Sequence, residues 1–134
     1  MTTGSCLCRA VRYEIDGRLS PIMLCHCSKC RKANGSAFHS GQLCRASRFR
    51  FVSGEDAITE YRTFSGYTTR FCRHCGSPVP QLVEDGYVVV HAGALDEDPG
   101  TRPMCHIFVG SKAPWFEIAD ALPQHAEHMP RGEG

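Results

Sequence analysis

The chain has 134 residues, of which 42% are hydrophobic and 22% charged, and its formal net charge is +1 with neutral histidines. This length and composition predict one domain with a single core and exclude a disordered chain or a coiled coil. The weak net charge argues against a nucleic-acid partner, and no apolar run approaches the ~18 residues of a membrane span. A signal peptide is not recognisable at the start, so we expect a cytoplasmic protein.

Short strand-like segments follow one another along the chain and predict an all-β fold. Residues 11–15 alternate apolar and charged side chains, and residues 19–24 form a second apolar run. One short helical turn is expected over residues 28–33, ended by Asn34-Gly35. Further strands are predicted at residues 37–43, 49–52, 58–64, 68–71, 79–83, 87–92, 104–109 and 115–118, with a hairpin turn at residues 84–86. The predicted domain covers residues 1–122, and the polar residues 123–134 are expected to form a flexible tail.

Seven of the nine cysteines fall into three tight clusters, a spacing that is typical of metal sites. Cys72 and Cys75 lie in a zinc-knuckle pattern, in which Gly76 allows a backbone conformation of positive φ. Cys6 and Cys8 would share one face of an extended strand. We therefore pair these four cysteines in one closed zinc site. A redox Cys-x-x-Cys motif is less consistent with the sequence, because no helix follows Cys75.

The third cluster, Cys25, Cys27 and Cys30, lacks a fourth cysteine nearby in the sequence. Three protein ligands and an open position are typical of a catalytic zinc, which can bind a substrate thiol as thiolate. A closed zinc completed by a histidine is the alternative, with His39, His91 and His106 as candidates. An iron–sulfur cluster fits less well, because it normally uses four cysteines. His26 would point away from its neighbours, and the isolated Cys44 and Cys105 are expected to be buried hydrophobic residues.

Five motifs together resemble those of the glutathione-dependent formaldehyde-activating enzyme (GFA) family, which also includes centromere protein V. They are, in chain order, residues 4–8 (GSCLC), 25–32 (CHCSKCRK), 71–77 (FCRHCGS), 106–109 (HIFV) and 111–117 (SKAPWFE). The chain departs from the family pattern at Arg9, where a glycine usually follows the first cysteine pair. We expect this change to remove an easy positive-φ turn without removing a ligand.

The resemblance implies a β-tent of stacked antiparallel sheets with two zinc ions, and we expect the second ion to be partly lost from some molecules. It implies a structural zinc on Cys6, Cys8, Cys72 and Cys75, and a catalytic zinc on Cys25, Cys27 and Cys30. It also implies a carbon–sulfur lyase that condenses a small aldehyde such as formaldehyde with glutathione or a related thiol. The alternative function is a non-enzymatic zinc module that binds a protein, or less readily a nucleic acid.

Other residues have a simpler interpretation as structural or surface residues. Trp115 and Phe116 could line a substrate pocket, but aromatic residues in a small β domain are more often core. Lys112 could meet a glutathione carboxylate, although a surface lysine is the simpler interpretation. The alternating basic residues Arg48 and Arg50, with Arg45, are expected on the solvent face of a strand.

Overall fold

A computed structural model describes residues 1–129, which form ten β-strands and one α-helix together with five short 3-10 turns. The helix α1 covers Ser28–Asn34 and ends at Gly35, which adopts the left-handed conformation. The strands are β1 (Thr2–Ser5), β2 (Arg12–Ile15), β3 (Ile22–Cys25), β4 (His39–Arg45), β5 (Phe49–Ser53), β6 (Ile58–Arg62), β7 (Thr68–Cys72), β8 (Gln81–Val83), β9 (Tyr87–His91) and β10 (Pro103–Ile107). The predicted all-β class and the single short helix are confirmed.

Within residues 1–129 the strands form three sheets that stack as a β-tent. One sheet has the order β1-β2-β5, a larger one the order β10-β3-β4-β9-β8, and β6 pairs with β7 as a two-stranded ribbon. All pairs are antiparallel except β3 and β10, which run parallel with Cys25 beside Ile107. The expected antiparallel sheets are confirmed, and the one parallel pair places β10 beside Cys25, the first residue of the three-cysteine cluster.

The main hydrophobic core lies between the three-stranded sheet and the five-stranded sheet. Alternate residues of β2 and β9 point inward, including Tyr13, Ile15 and Val90, and all three are essentially inaccessible to solvent. Cys44 is buried in the same cluster, as expected for an isolated cysteine. This core fixes the two sheets face to face and leaves the opposite face of the five-stranded sheet uncovered at Leu43, which is 40% exposed.

A second, smaller core cluster is built around two cysteines of the first site. Cys6 and Cys72 are buried there against Val11, Ala57 and Val79. The hydrophobic partners are small, so their burial supplies only about 2 kcal/mol per valine. Apolar packing at this end of the protein is therefore weak, and its stability depends on how Cys6 and Cys72 are held together.

The predicted elements differ from the structure in two places. Residues 115–118 form no strand but a turn and extended coil, and Trp115 is 73% exposed instead of buried. Strand β1 was not predicted, because its polar sequence lacks apolar alternation; it forms by pairing with β2. The hairpin turn at Glu84–Gly86 is confirmed, with Asp85 and Gly86 both at positive φ.

Part of the segment expected as a tail contacts the domain. Residues 123–127 run beside β10, where His106 N–H donates to Pro123 O at 2.9 Å and Phe108 N–H donates to Glu127 O at 2.9 Å. These backbone hydrogen bonds extend the sheet edge and tie the segment to the domain. Residues 130–134 of the expected tail lie outside the described residues. No α-helix within residues 1–129 is long and apolar enough to cross a membrane.

Candidate metal centres

The four sulfurs of Cys6, Cys8, Cys72 and Cys75 converge on one point, with every pair within 4.8 Å. The Sγ atoms of Cys6 and Cys8 are 3.6 Å apart, and those of Cys8 and Cys72 are 3.8 Å apart. A tetrahedral metal with metal–sulfur bonds of about 2.3 Å requires sulfur separations of about 3.8 Å. All nine cysteines are free thiols, so these distances describe a ligand set and not disulfides. The group can hold one metal ion.

Two backbone turns deliver N–H groups to these sulfurs. Val11 N–H donates to Cys6 Sγ at 3.3 Å, and His74 N–H donates to Cys72 Sγ at 3.4 Å. Gly76 adopts φ 77°, as the knuckle pattern predicted. Such N–H···S bonds stabilise thiolates and orient them toward a cation. The Ser77 hydroxyl and backbone hydrogen bonds lower the pKa of Cys75 to about 5, so this thiol ionises readily before metal binds.

Cys6 and Cys8 lie in a turn and not on a strand as expected, because β1 ends at Ser5. Arg9 N–H closes this turn on Cys6 O at 3.1 Å. Arg9 adopts φ 67°, the left-handed conformation that glycine would take without strain. The departure from the family pattern therefore leaves the turn in place, at a cost of about 1 kcal/mol for a residue with a Cβ.

The sulfurs of Cys25, Cys27 and Cys30 form a second group within 4.8 Å of one another. Cys25 is the last residue of β3, Cys27 caps α1, and Cys30 lies buried in the first turn of α1. The cap is formed by Cys30 N–H, which donates to Cys27 Sγ at 3.2 Å. The strand end and the helix start thus place three thiols around one point, where they can hold a metal ion.

Tyr67 completes the surroundings of this group from a distant part of the chain. Its hydroxyl donates to Cys30 Sγ at 3.7 Å. Burial raises the pKa of Tyr67, so the phenol keeps the proton that it donates. The hydrogen bond from Cys30 lowers the pKa of Cys25 to about 6 and raises that of Cys30, so one of these thiols ionises near neutral pH.

Within residues 1–129, the metal-ligand groups contain no histidine or carboxylate beside these three thiols. His39 lies next to Cys25 across the β3–β4 pair, but its ring stacks edge-on against His91 with centroids 4.5 Å apart. Burial lowers the pKa values of both His39 and His91, which keeps them neutral at pH 7. His106, the third candidate, faces away from the thiols and hydrogen-bonds to His26 and Asp120. In the described part of the chain, none of the three candidate histidines therefore joins these thiols.

A row of three hydrogen-bonded polar side chains lies behind this group, and it was not predicted from the sequence. His26, which is 0% exposed, lies 2.8 Å through Nε2 from Nδ1 of His106, and Nε2 of His106 lies 2.9 Å from the Asp120 carboxylate. The carboxylate accepts from His106, so His106 in turn accepts the proton of His26 when both rings are neutral. Phe38 and Phe116 pack against the His26 ring. As expected, His26 points away from the sulfurs, and its hydrogen bond to His106 holds the Cys25-His26-Cys27 segment in place.

Two cavities adjoin the three thiols. One, of about 190 Å³, is lined by Cys30 and by polar residues that include Asn34, Tyr67, Arg70 and His91. The other, of about 390 Å³, is lined by Cys25 and by mainly apolar residues of the five-stranded sheet. His39 borders both cavities. The three thiols therefore lie where two spaces of different chemistry meet.

The fold and these two groups define a β-tent protein with two candidate metal centres made of thiols, one with four ligands and one with three. Residues 1–111 match the family described as glutathione-dependent formaldehyde-activating enzyme, and the chain belongs to this family. It is also similar to a Rhodobacter sphaeroides protein of known crystal structure, with a TM-score of 0.59 and 26% sequence identity over 75% of this chain and 97% of that chain. The family resemblance of the motifs is thereby confirmed.

The remaining residues singled out in the sequence lie outside both groups. Cys105 is buried in β10, like Cys44 in β4. Arg48 and Arg50 form ion pairs with Asp16 and Glu14 on the strand surface, as the solvent-face interpretation predicted. Lys112 donates to the backbone carbonyls of Ala113 and Phe116, so its ammonium group holds the local loop.

Proposed function

We propose that the protein is a zinc-dependent enzyme that condenses a small aldehyde with glutathione or a related thiol, a carbon–sulfur lyase of the GFA type. Cys6, Cys8, Cys72 and Cys75 would hold a structural zinc. Cys25, Cys27 and Cys30 would hold a catalytic zinc, which when bound supplies a Lewis acid and lowers the pKa of a thiol in its fourth position. A reducing, cytoplasmic compartment would keep all nine thiols free.

The observation that carries the proposal is the three-thiol group at the junction of two cavities, where no histidine or carboxylate of residues 1–129 joins the thiols. In the reaction a carbon–sulfur bond forms between the thiol sulfur and the aldehyde carbon, and the sulfur–hydrogen bond breaks. The proton passes to the carbonyl oxygen, which becomes a hydroxyl, so atoms and charge balance. Holding both reactants beside one another would replace a bimolecular encounter by an oriented one.

The residues of this chain have separate roles in that scheme. Tyr67 donates to Cys30 Sγ and Cys30 N–H donates to Cys27 Sγ, so these sulfurs are oriented before any ligand arrives. Neutral His39 and His91 line the polar cavity and offer ring nitrogens for hydrogen bonds to a peptide-like thiol without adding charge. The Asp120–His106–His26 chain holds the segment that carries Cys25 and Cys27.

The test is the rate at which formaldehyde and glutathione interconvert with S-hydroxymethylglutathione, measured by NMR exchange with the zinc-loaded protein. We expect acceleration by wild type and its loss in Cys27→Ser. Cys44→Ser is the matched control, since Cys44 belongs to neither thiol group, and it should retain the acceleration. Equal rates with and without wild-type protein would refute the proposal.

The second candidate function is a zinc module that binds a protein. The observation in its favour is the exposure of large apolar side chains such as Trp115 and Leu7, the latter 82% exposed beside the first site. Titration with glutathione separates the two functions. A change in the environment of one bound metal favours the enzyme, and two metals that do not respond to the thiol favour the module.

A further inference from the structure

The larger cavity beside Cys25 has the character of a binding site for a hydrocarbon chain. Its volume of about 390 Å³ falls in the range of small-molecule sites. Its apolar lining consists of Met23, Leu43, Val89, Met104, Ile107 and Met129. Methionine side chains are flexible and polarisable and adapt to chains of different shape.

The Gln42 amide nitrogen and the Ser20 hydroxyl beside this cavity are engaged in hydrogen bonds, whereas Gln42 Oε1 has no partner within the described residues. The Gln42 amide donates to Ser20 O at 2.9 Å and to Thr101 Oγ1 at 2.8 Å, and the Ser20 hydroxyl accepts from Leu43 N–H at 2.8 Å. The lining contains no Asp, Glu, Lys or Arg, so away from Cys25 a charged ligand would lose hydration without compensation. An apolar ligand would gain by leaving water.

The position of the cavity relative to the thiols determines which part of a ligand it can hold. Cys25 lines the apolar cavity and Cys30 lines the polar one, and their sulfurs belong to the same group. The polar side chains Asn34, Tyr67 and Arg70 of the polar cavity would suit the peptide-like part of a thiol. A carbonyl carbon at the thiol group would direct any attached chain into the apolar side.

We propose that the apolar cavity binds the hydrocarbon chain of the carbonyl substrate, so that the enzyme acts on aldehydes with chains of several carbons in addition to formaldehyde. This inference rests on the proposed function and adds the substrate class. It predicts that each methylene buried in the cavity raises kcat/KM by about two- to fourfold, up to the length that the cavity holds.

The test compares formaldehyde, ethanal, butanal and hexanal as substrates of the zinc-loaded enzyme with glutathione, measuring kcat/KM for each. Leu43→Gln places a polar amide in the wall of the cavity and should flatten the increase with chain length. Leu82→Gln is the matched control: Leu82 is 62% exposed on β8 of the same sheet and does not line this cavity. It should preserve the increase.

A binding measurement without turnover accompanies the kinetics. By calorimetry 1-hexanol, which cannot add a thiol, should bind wild type and Leu82→Gln alike and Leu43→Gln at least about fivefold more weakly. Equal kcat/KM for ethanal and hexanal in wild type would overturn the inference while leaving formaldehyde turnover intact. A wild-type dimer that Leu43→Gln converts to monomers would also overturn it, since a second copy would then cover the cavity. Failure of every aldehyde, including formaldehyde, would instead refute the proposed function.

Discussion

Replacing one cysteine of the four-thiol group should unfold the protein, whereas the same replacement in the three-thiol group should not. Cys72→Ser removes a proposed metal ligand that is 0% exposed and lies in the small core cluster with Cys6, Val11 and Val79. Cys27→Ser removes a proposed ligand at the start of α1, where serine is itself a favourable helix cap. The two variants carry the same chemical change, so their difference reports the role of each site.

The magnitude follows from the chain that the first site closes. Cys8 and Cys72, whose sulfurs lie 3.8 Å apart, are 64 residues apart in the sequence. Closing a loop of that length in the unfolded chain corresponds to about 4 kcal/mol of lost entropy. Structural zinc binding supplies about 10–16 kcal/mol in all, against a net stability of about 5–15 kcal/mol for a typical domain. The small neighbouring side chains cannot replace this contribution, so Cys72→Ser should be unfolded at 25 °C.

Circular dichroism with urea titration, together with metal analysis, measures the outcome. We expect Cys27→Ser to keep a native spectrum, to unfold cooperatively and to hold one metal fewer, with a loss of stability no larger than the binding free energy of that metal. Cys72→Ser should show no cooperative transition. A native spectrum and a wild-type midpoint for Cys72→Ser would refute the structural role of the first site. Equal destabilisation of both variants would refute the division into one structural and one functional site.

Three further predictions concern residues around the sites. Burial lowers the pKa of His91 to about 4, so the unfolded histidine binds a proton at a higher pH than the folded one. As the pH falls from about 6.5 to about 4, wild type should therefore lose about 3 kcal/mol of stability relative to His91→Asn. A difference in unfolding free energy that stays constant with pH in parallel urea titrations would contradict this. Asp120→Asn should weaken metal binding at the three-thiol group about tenfold and spare the four-thiol group, since it loosens His106 and through it His26; equal affinities of variant and wild type in competition with a chelator would show that these side chains have no positioning role. Arg9→Gly should raise the free energy of unfolding by about 1 kcal/mol with unchanged metal content, because it relieves the left-handed conformation; a lower thermal midpoint would contradict that reasoning.

The sequence predicted the features that depend on neighbouring residues. Cysteines two or three positions apart can only converge locally, so both thiol groups were recognisable from spacing. The helix ended at Gly35 as predicted, and the alternation in β2 identified its buried face. These signals are short-range and survive any tertiary arrangement.

The features that were missed depend on distant parts of the chain. His26 and His106 are 80 positions apart, and only the parallel pairing of β3 with β10 brings them together. Strand β1 has no apolar pattern; its Gly4 leaves room for the Tyr13 ring, where a Cβ would come within 2.6 Å. Trp115 was expected in the core, but Phe116 occupies the position against His26 and Phe38 instead. Local propensity carries no information on such contacts.

We propose that the four-thiol site is closed and that the three-thiol site accepts an external thiol. The near-ultraviolet spectrum of the cobalt-substituted protein distinguishes the two sites, since sulfur-to-cobalt charge-transfer absorption follows the number of bound thiolates. Addition of glutathione should intensify that absorption in wild type and leave it unchanged in Cys27→Ser, which retains only the Cys6, Cys8, Cys72 and Cys75 site. A wild-type spectrum that does not respond to saturating glutathione would contradict the account.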